Sequence, residues 1–345
     1  MNVAAKPPLI SLVVPAHNEA QGIAHTVEVL RKLLEGQGVL WEILIVDDGS
    51  QDDTFSRVQA LAGADSRVKG LRLSRNFGKE AALLAGLKAS RGDAVITLDA
   101  DLQHPPSLIP DMLASWRQGA MIVHAVKRGR EFDSPWARWR ARLFNGLIKR
   151  LAGIDLDNAS DFKLLDRRVV DVLVQQLPER SRFYRGLAEW VGYPSVRLEF
   201  DVADRAHGQS KWTLWGLVEL ATTALISFTS TPLRIVTVLG VFTLLFGALV
   251  ATEALIGWFR GHAVSGFTTT IITLLIIGSV IMISLGVIGE YIAKIYDEIK
   301  ARPVYLLQDK AGFVDAPRSS HSSTVGATGN LQVDTNDVSA KETIT

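Results

Sequence analysis

Asp99 and Asp101 are separated by one residue and close an apolar run, DAVITLD over 93–99. Carboxylates at i and i+2 share a cleft where a strand leaves its sheet. There they suit a hard divalent cation such as Mg²⁺, which takes few protein ligands and completes its shell with phosphate oxygens and water. Gln103 adds a neutral oxygen two residues on, and Pro105-Pro106 begins the next helix. A lone DxD occurs often by chance, but at a strand end, followed by Gln and Pro-Pro, it is far more specific. A second pair, Asp47-Asp48, closes WEILIVD (41–47) in the same way. These carboxylates can accept hydrogen bonds from a nucleotide base or ribose, while Ser50 or Asp52 caps the following helix.

Competing chemistries fail on the same residues. No GxGxxG follows a strand, and Gly78-Lys79 is followed by Glu without an upstream P-loop glycine. A Rossmann dehydrogenase and a P-loop kinase are therefore poor fits. The chain has no cysteine, which removes disulfides, thiolate nucleophiles and Cys-ligated metals, and its seven histidines form no HExxH pair. Lys+Arg 37 against Asp+Glu 36 leaves +1, so a nucleic-acid partner is disfavoured. What remains is a nucleotide held through a metal.

These residues need a scaffold that brings strand ends together. LISLVVP (9–15), WEILIVD (41–47), VKGLRLS (68–74), DAVITLD (93–99) and MIVHAV (121–126) read as buried strands, nearly continuous in Val, Ile and Leu. Helical patterns lie between them at about 19–35, 53–62, 78–90 and 106–117. The β-α-β-α order predicts an α/β fold with a mostly parallel sheet, whose ligands bind outside the carboxyl ends of the strands. Those ends are polar here: AHNE (16–19), DDGS (47–50), SRNFGKE (74–80) and DADLQHPP (99–106).

The second half is a different material. The 345 residues are 48% hydrophobic yet 21% charged, and the mean hydropathy is +0.18, an average over two populations. From Ile235 to Trp258 the only formal charge is Glu253, and from Gly266 to Gly289 there is none. Each run is long enough to cross a ~30 Å hydrocarbon core. The short connector at Arg260-Gly261-His262 makes a hairpin. Lys211 and Arg234 before it, with Lys294, Lys300 and Arg302 after it, place both ends in the cytoplasm. Residues 1–8 lack a secretory pattern, which keeps the N-terminal part there too.

Residues 127–165 are basic and aromatic. Trp136, Trp139, Leu143, Leu147 and Leu151 form one apolar stripe flanked by arginines, on a helix started by Ser134-Pro135. This stripe suits either a core-packed helix with a solvated basic face or one lying at an anionic membrane surface. The predicted layout is a catalytic domain over 1–208, an interfacial helix over 209–232 and spans over 233–258 and 266–293. A cytoplasmic helix over 294–308 and a disordered tail over 309–345 complete it.

PAHNE (15–19), VDDGSQDDT (46–54), LSRNFGKEAALLAG (73–86), LDADLQHPP (98–106) and SDFKLLDR (160–167) resemble family 2 glycosyltransferases with the GT-A fold. RAHGQSKW (205–212), TPLR (231–234) and GEYIAKIYDEIKARPVYL (289–306) narrow the resemblance. It is to polyprenyl-phosphate glycosyltransferases of the GtrB type, relatives of dolichol-phosphate mannose synthase. The match runs in order over about residues 9–307.

The resemblance implies inverting transfer of a hexose from a nucleotide-sugar to a membrane lipid phosphate such as undecaprenyl phosphate. It assigns Asp99, Asp101 and Gln103 to Mg²⁺ or Mn²⁺ on the donor diphosphate. Pro15, Glu19, Asp47 and Asp48 would line the nucleotide pocket. Arg205 and Lys211 would close over the diphosphate. Arg128, Arg130 and Arg142 would meet the acceptor phosphate, with Arg128 foremost. Asp161 is the acidic position near the reacting centre; its structural alternative is a strand-end carboxylate pairing with Lys163 or Arg167. A lipid phosphate is already anionic at neutral pH, so Asp161 need not remove a proton.

FGKE and LPERSRF (177–183) look closest to users of UDP-glucose, with GDP-mannose or another UDP-sugar as the alternative. A processive polysaccharide synthase is disfavoured by the absence of QxxRW and of further spans. A non-catalytic nucleotide-sugar binder would predict damaged carboxylate sites, and they are intact. Homo-oligomeric packing through the hairpin, up to a tetramer, is also expected.

Overall fold

A computed structural model describes residues 6–127, 159–180, 182–200, 231–260 and 267–313, with Gly146, Arg150 and Thr229. All five expected strands fall within a residue or two of their predicted limits, the first four being β1 (Leu9–Ala16), β2 (Leu40–Asp47), β3 (Val68–Leu73) and β4 (Ala94–Thr97). Their apolar runs are buried almost throughout, as strands covered by helices must be. The fifth, β5 (Ile122–Lys127), is followed by β6 (Ala159–Asp166), β7 (Ser195–Phe200) and β8 (Leu307–Ala311). Together they make one eight-stranded sheet in the order β7-β5-β6-β4-β1-β2-β3-β8. β1 pairs in parallel with β2 and β4, β2 with β3, and β5 with β7; β6 and β8 run antiparallel to their neighbours.

The helices follow from spacing. In α1 (Ile23–Glu35), Ile23, Thr26, Val27, Leu30 and Leu34 are buried, one stripe at intervals of three and four. α2 (Thr54–Ala64) buries Phe55 and Val58 beside them. α3 (Lys79–Ala89) is small-residue-rich and lies close on the sheet; a Cβ on Gly86 would stand 2.3 Å from Val13 Cγ1. The helix expected from residue 106 opens with a 3₁₀ turn at Pro106–Leu108 and becomes α4 (Ile109–Arg117). Beyond β6 come α5 (Arg167–Asp171) with a π-helical continuation to Gln176, and α6 (Tyr184–Trp190).

α7 (Thr231–Phe259) and α8 (Phe267–Ile299) are long and apolar enough to cross a membrane. Their most apolar stretches bury nothing inside the chain, as helices facing hydrocarbon would. At the base of the pair the Tyr291 hydroxyl donates to the Thr229 carbonyl at 2.8 Å.

The chain after the hairpin corrects the expected layout. The helix foreseen over 294–308 ends at Ile299, and Leu307–Ala311 of the supposed helix and tail form strand β8 against β3. LQDKA has little strand propensity of its own. It is extended because β3 would otherwise present an unpaired edge. The expected helix from Ser134, the interfacial helix up to residue 228 and the tail from 314 lie outside the described residues.

One glycine sets the rim above the sheet. Gly49 has φ +63°, and a Cβ there would lie 2.3 Å from the Arg75 carbonyl carbon and 2.5 Å from the Asn76 nitrogen. The loops after β2 and β3 therefore touch backbone to backbone, which only glycine permits. Gly49→Ala should destabilise the catalytic domain by about 2–4 kcal/mol, combining left-handed strain with a clash against main chain. Thermal or urea unfolding of the purified variant measures this, and unchanged stability would contradict the packing.

Candidate active site

The parallel strands β1, β2 and β4 deliver three acidic segments to one edge of the sheet. Ala16 pairs with Asp47 at the end of the β1–β2 ladder, and the loops beyond are tied together. Asn18, at φ 55°, donates its N–H to Ser50 Oγ at 2.9 Å and accepts the Gln51 N–H at 3.0 Å. The Glu19 N–H donates to Thr54 Oγ1, and the Ala20 N–H to Asp52. Asp52 accepts from both the N–H and the hydroxyl of Thr54, the first residue of α2; the N-cap position itself is Asp53, without a side-chain cap, in place of the Ser50 or Asp52 cap expected.

Asp47 and Asp48 are both buried. Asp48 spends its two oxygens on the N–H groups of Phe77 and Gly78, at 2.8 and 2.9 Å, and so fixes the loop ahead of α3. Asp47 Oδ1 accepts the Ser50 N–H, while Oδ2 faces Arg72 Nε at 3.5 Å and accepts no hydrogen bond from the described residues. Pro15 sits in β1 opposite Val46.

Asp99 and Asp101 follow β4, with Ala100 anchored by the Thr26 hydroxyl at 2.7 Å. Asp101 Oδ1 accepts the Gln103 N–H across a bend in which Leu102 has φ 54°. Glu19 belongs to the same field. Its carboxyl is raised by burial and then by the charges of Asp101, Asp52 and Asp99. Among the described residues no three His, Asp or Glu side chains already converge as a metal cage. Two carboxylates and an amide, with Asp101 forming no ion pair among the described residues, fit Mg²⁺ or Mn²⁺, which bind through few protein oxygens and take the rest from phosphate and water.

Asp161 lies buried in β6, the antiparallel strand beside β4. Arg185 of α6 grips it with two hydrogen bonds, 2.7 and 2.8 Å, and the Lys79 ammonium of α3 stands 2.6 Å from it. The same ammonium lies 2.5 Å from Asp99. Lys79 thus bridges the metal-type carboxylate and the acidic position on β6. Burial alone would raise the Asp161 carboxyl. The hydrogen bonds and charge of Arg185, with Lys79, outweigh this and hold it well below the usual carboxylate range.

The partners expected for Asp161 are elsewhere. Lys163 meets His124 at 2.8 Å, and Arg167 donates to the Gly92 carbonyl and Ser90. Arg185 carried no signal in the sequence, and Lys79 appeared in a failed P-loop and within the FGKE motif but not as a partner of Asp161. Its place after Gly78, a glycine at φ 93°, at the first turn of a helix was the available hint. Arg128, Arg130, Arg142, Arg205 and Lys211 lie outside the described residues.

Residues 11–173 match the family Glycosyl transferase family 2, a stretch that holds all of these carboxylates. A glycosyltransferase of Synechocystis sp., itself uncharacterized, is 39% identical over 310 residues, 89% of this chain and 97% of its own length. The chain belongs to glycosyl transferase family 2. It is a glycosyltransferase with a GT-A catalytic domain, and residues 231–295 match the GtrB C-terminal hairpin. The SfII prophage-derived bactoprenol glucosyl transferase of Shigella flexneri is 38% identical over 304 residues, 87% of this chain and 97% of that one. Among solved structures, glucosyl-3-phosphoglycerate synthase from Mycobacterium tuberculosis with uridine diphosphate aligns at TM-score 0.43 and 25% identity, over 63% of this chain and 79% of that one.

Glu80 neighbours this site and titrates near neutrality. Burial pushes its carboxyl up to about 7, against the Tyr184 N–H that it accepts at 2.9 Å. A carboxyl raised on folding binds its proton more tightly in the native state, so its contribution to stability falls as pH rises from about 4.5 to about 7. Glu80→Gln keeps an acceptor for Tyr184 and removes the titration. Its Tm should fall less than that of the parent across this window in pH-scanned melting. Parallel curves would show that Glu80 is not held neutral.

Proposed function

We propose that this glycosyltransferase transfers glucose from UDP-glucose to the phosphate of a polyprenyl carrier such as undecaprenyl phosphate, at the cytoplasmic face of the membrane, with inversion, for modification of cell-envelope glycans. The observation that carries the reading is one chain joining the carboxylate cleft of Glu19, Asp99, Asp101 and Asp161 to two membrane-length helices. The bactoprenol glucosyl transferase name of the Shigella relative supports the same donor sugar and acceptor class.

In this reading Asp99, Asp101 and Gln103 would hold Mg²⁺ or Mn²⁺, which when bound supplies Lewis-acid neutralisation of the departing diphosphate. The protein's own part is positioning. Pro15, Glu19, Asp47 and Asp48 shape the nucleotide pocket, Asp48 by holding the Phe77-Gly78 backbone. Arg205 and Lys211 close on the diphosphate, and Arg128, Arg130 and Arg142 receive the acceptor phosphate. Asp161 stays ionised between Lys79 and Arg185, so it orients these cations. A carboxylate held that far down is a poor proton acceptor, and an acceptor phosphate whose second pKa is about 6 does not require one. Attack by that phosphate on the anomeric carbon expels the nucleoside diphosphate from the opposite face.

The test offers purified protein, Mg²⁺ and undecaprenyl phosphate a panel of labelled UDP- and GDP-sugars. Label should enter lipid from UDP-glucose; entry from GDP-mannose alone would overturn the donor, and no lipid product from any sugar would overturn the acceptor class. Asp101→Asn should reduce transfer at least a hundredfold while the protein still inserts in membranes. Surviving activity would remove the metal assignment.

A further inference from the structure

Between the loop after β3 and the end of α8 lies a cavity of about 640 Å³ that neither the donor reading nor the carboxylate cluster uses. One wall is formed by Arg75, Phe77 and Glu80, and the facing wall by the last turns of α8 with Lys300 and Arg302.

Its charges do not cancel. Glu298 is matched by Arg180, whose guanidinium Nε stands 3.9 Å from it and whose backbone N–H donates to it at 2.8 Å. Arg182 donates to the Leu173 and Leu177 carbonyls. Glu80 accepts the Tyr184 N–H, and burial draws both Glu80 and Glu179 toward the neutral form. Asp297 is the remaining acid. Against it stand Arg75, stacked 4.2 Å over Phe77, Lys300, 4.0 Å over Tyr296, and Arg302. None of these three forms an ion pair with a carboxylate among the described residues.

The position is equally specific. The uncharged run of the second span ends at Gly289. At about 1.5 Å per residue, Ile299 stands about 15 Å beyond it, across the headgroup layer. On the inner side Glu80 follows Lys79, whose ammonium touches both Asp99 and Asp161. The cavity therefore lies between the end of α8 and the helical turn that carries Lys79.

We propose that this cavity binds the phosphate headgroup of the polyprenyl phosphate acceptor on its way to the reacting centre, with Arg75, Lys300 and Arg302 as its cationic contacts and the isoprenoid chain left along α8. The inference rests on the acceptor class proposed above. A phosphate monoester carries about −1.5 to −2 at neutral pH and several strong acceptors, which a cluster of guanidinium and ammonium groups matches. A neutral sugar would not need three unpaired cations, and none of the carboxylates assigned to the nucleotide lines the cavity.

The experiment uses the full chain in nanodiscs and compares the parent with the double variant Lys300→Gln, Arg302→Gln. The KM for undecaprenyl phosphate should rise at least tenfold while the KM for the sugar donor and calorimetric UDP binding stay within twofold. Lys300→Arg with Arg302→Lys should restore acceptor affinity. An unchanged acceptor KM, or an equal rise in both KM values, would overturn the assignment. So would competition by phosphatidylglycerol that is strong in the parent and lost in the variant, since that marks a site for bulk anionic lipid. If the parent itself forms no lipid product from any donor, the acceptor reading falls instead, and this inference with it.

Discussion

A buried carboxylate must be compensated, and in this protein the compensation organises the site. Asp161 is almost fully covered in β6, and leaving it unpaired would cost several kcal/mol. Its two partners come from different places in the chain, Lys79 from the first turn of α3 and Arg185 from α6. Because Lys79 also reaches Asp99, the same ammonium ties the end of β4 to β6. Thr97 continues the arrangement, donating to the Asp161 carbonyl at 2.6 Å and meeting the Tyr184 hydroxyl at 2.9 Å. Two strands and two helices are thus held in register around one negative charge.

That arrangement also limits what the charge can do. A carboxylate under two cations is stabilised in its ionised form, and each hydrogen bond it accepts makes it a worse base. Family membership establishes a glycosyltransferase; the geometry favours an acceptor that arrives already anionic over one that must be deprotonated. Glu19 shows the opposite imbalance, raised by its own burial and then by three neighbouring carboxylates. The site is cation-rich at Asp161 and cation-poor at Asp101, which suits a ligand carrying its own metal.

The sheet and the acidic strand ends were legible because both depend on local pattern. Continuous Val/Ile/Leu runs ending in polar turns leave little freedom in where β1, β2 and β4 lie. Lys79 and Arg185 were not legible as partners of Asp161, since more than eighty residues separate Lys79 from it and no periodicity links them. The Lys163 and Arg167 pairing failed for a related reason: nearness in sequence does not decide which neighbour across a ladder a side chain meets, and His124 opposes Lys163 on β5. β8 was missed because an edge strand such as LQDKA is defined by the edge it covers.

That last strand has a mechanical consequence. The chain leaves the catalytic domain to enter α7 and, after α8, is stitched back into the same sheet through β8 and the Ser74–Leu306 hydrogen bond. A domain on one tether would swivel freely above the bilayer, presenting its cleft to water as often as to lipid. Two moorings remove most of that rotation. The direction in which the cleft points relative to the two helices then becomes a property of the fold, fixed by the strand that closes the sheet after the hairpin.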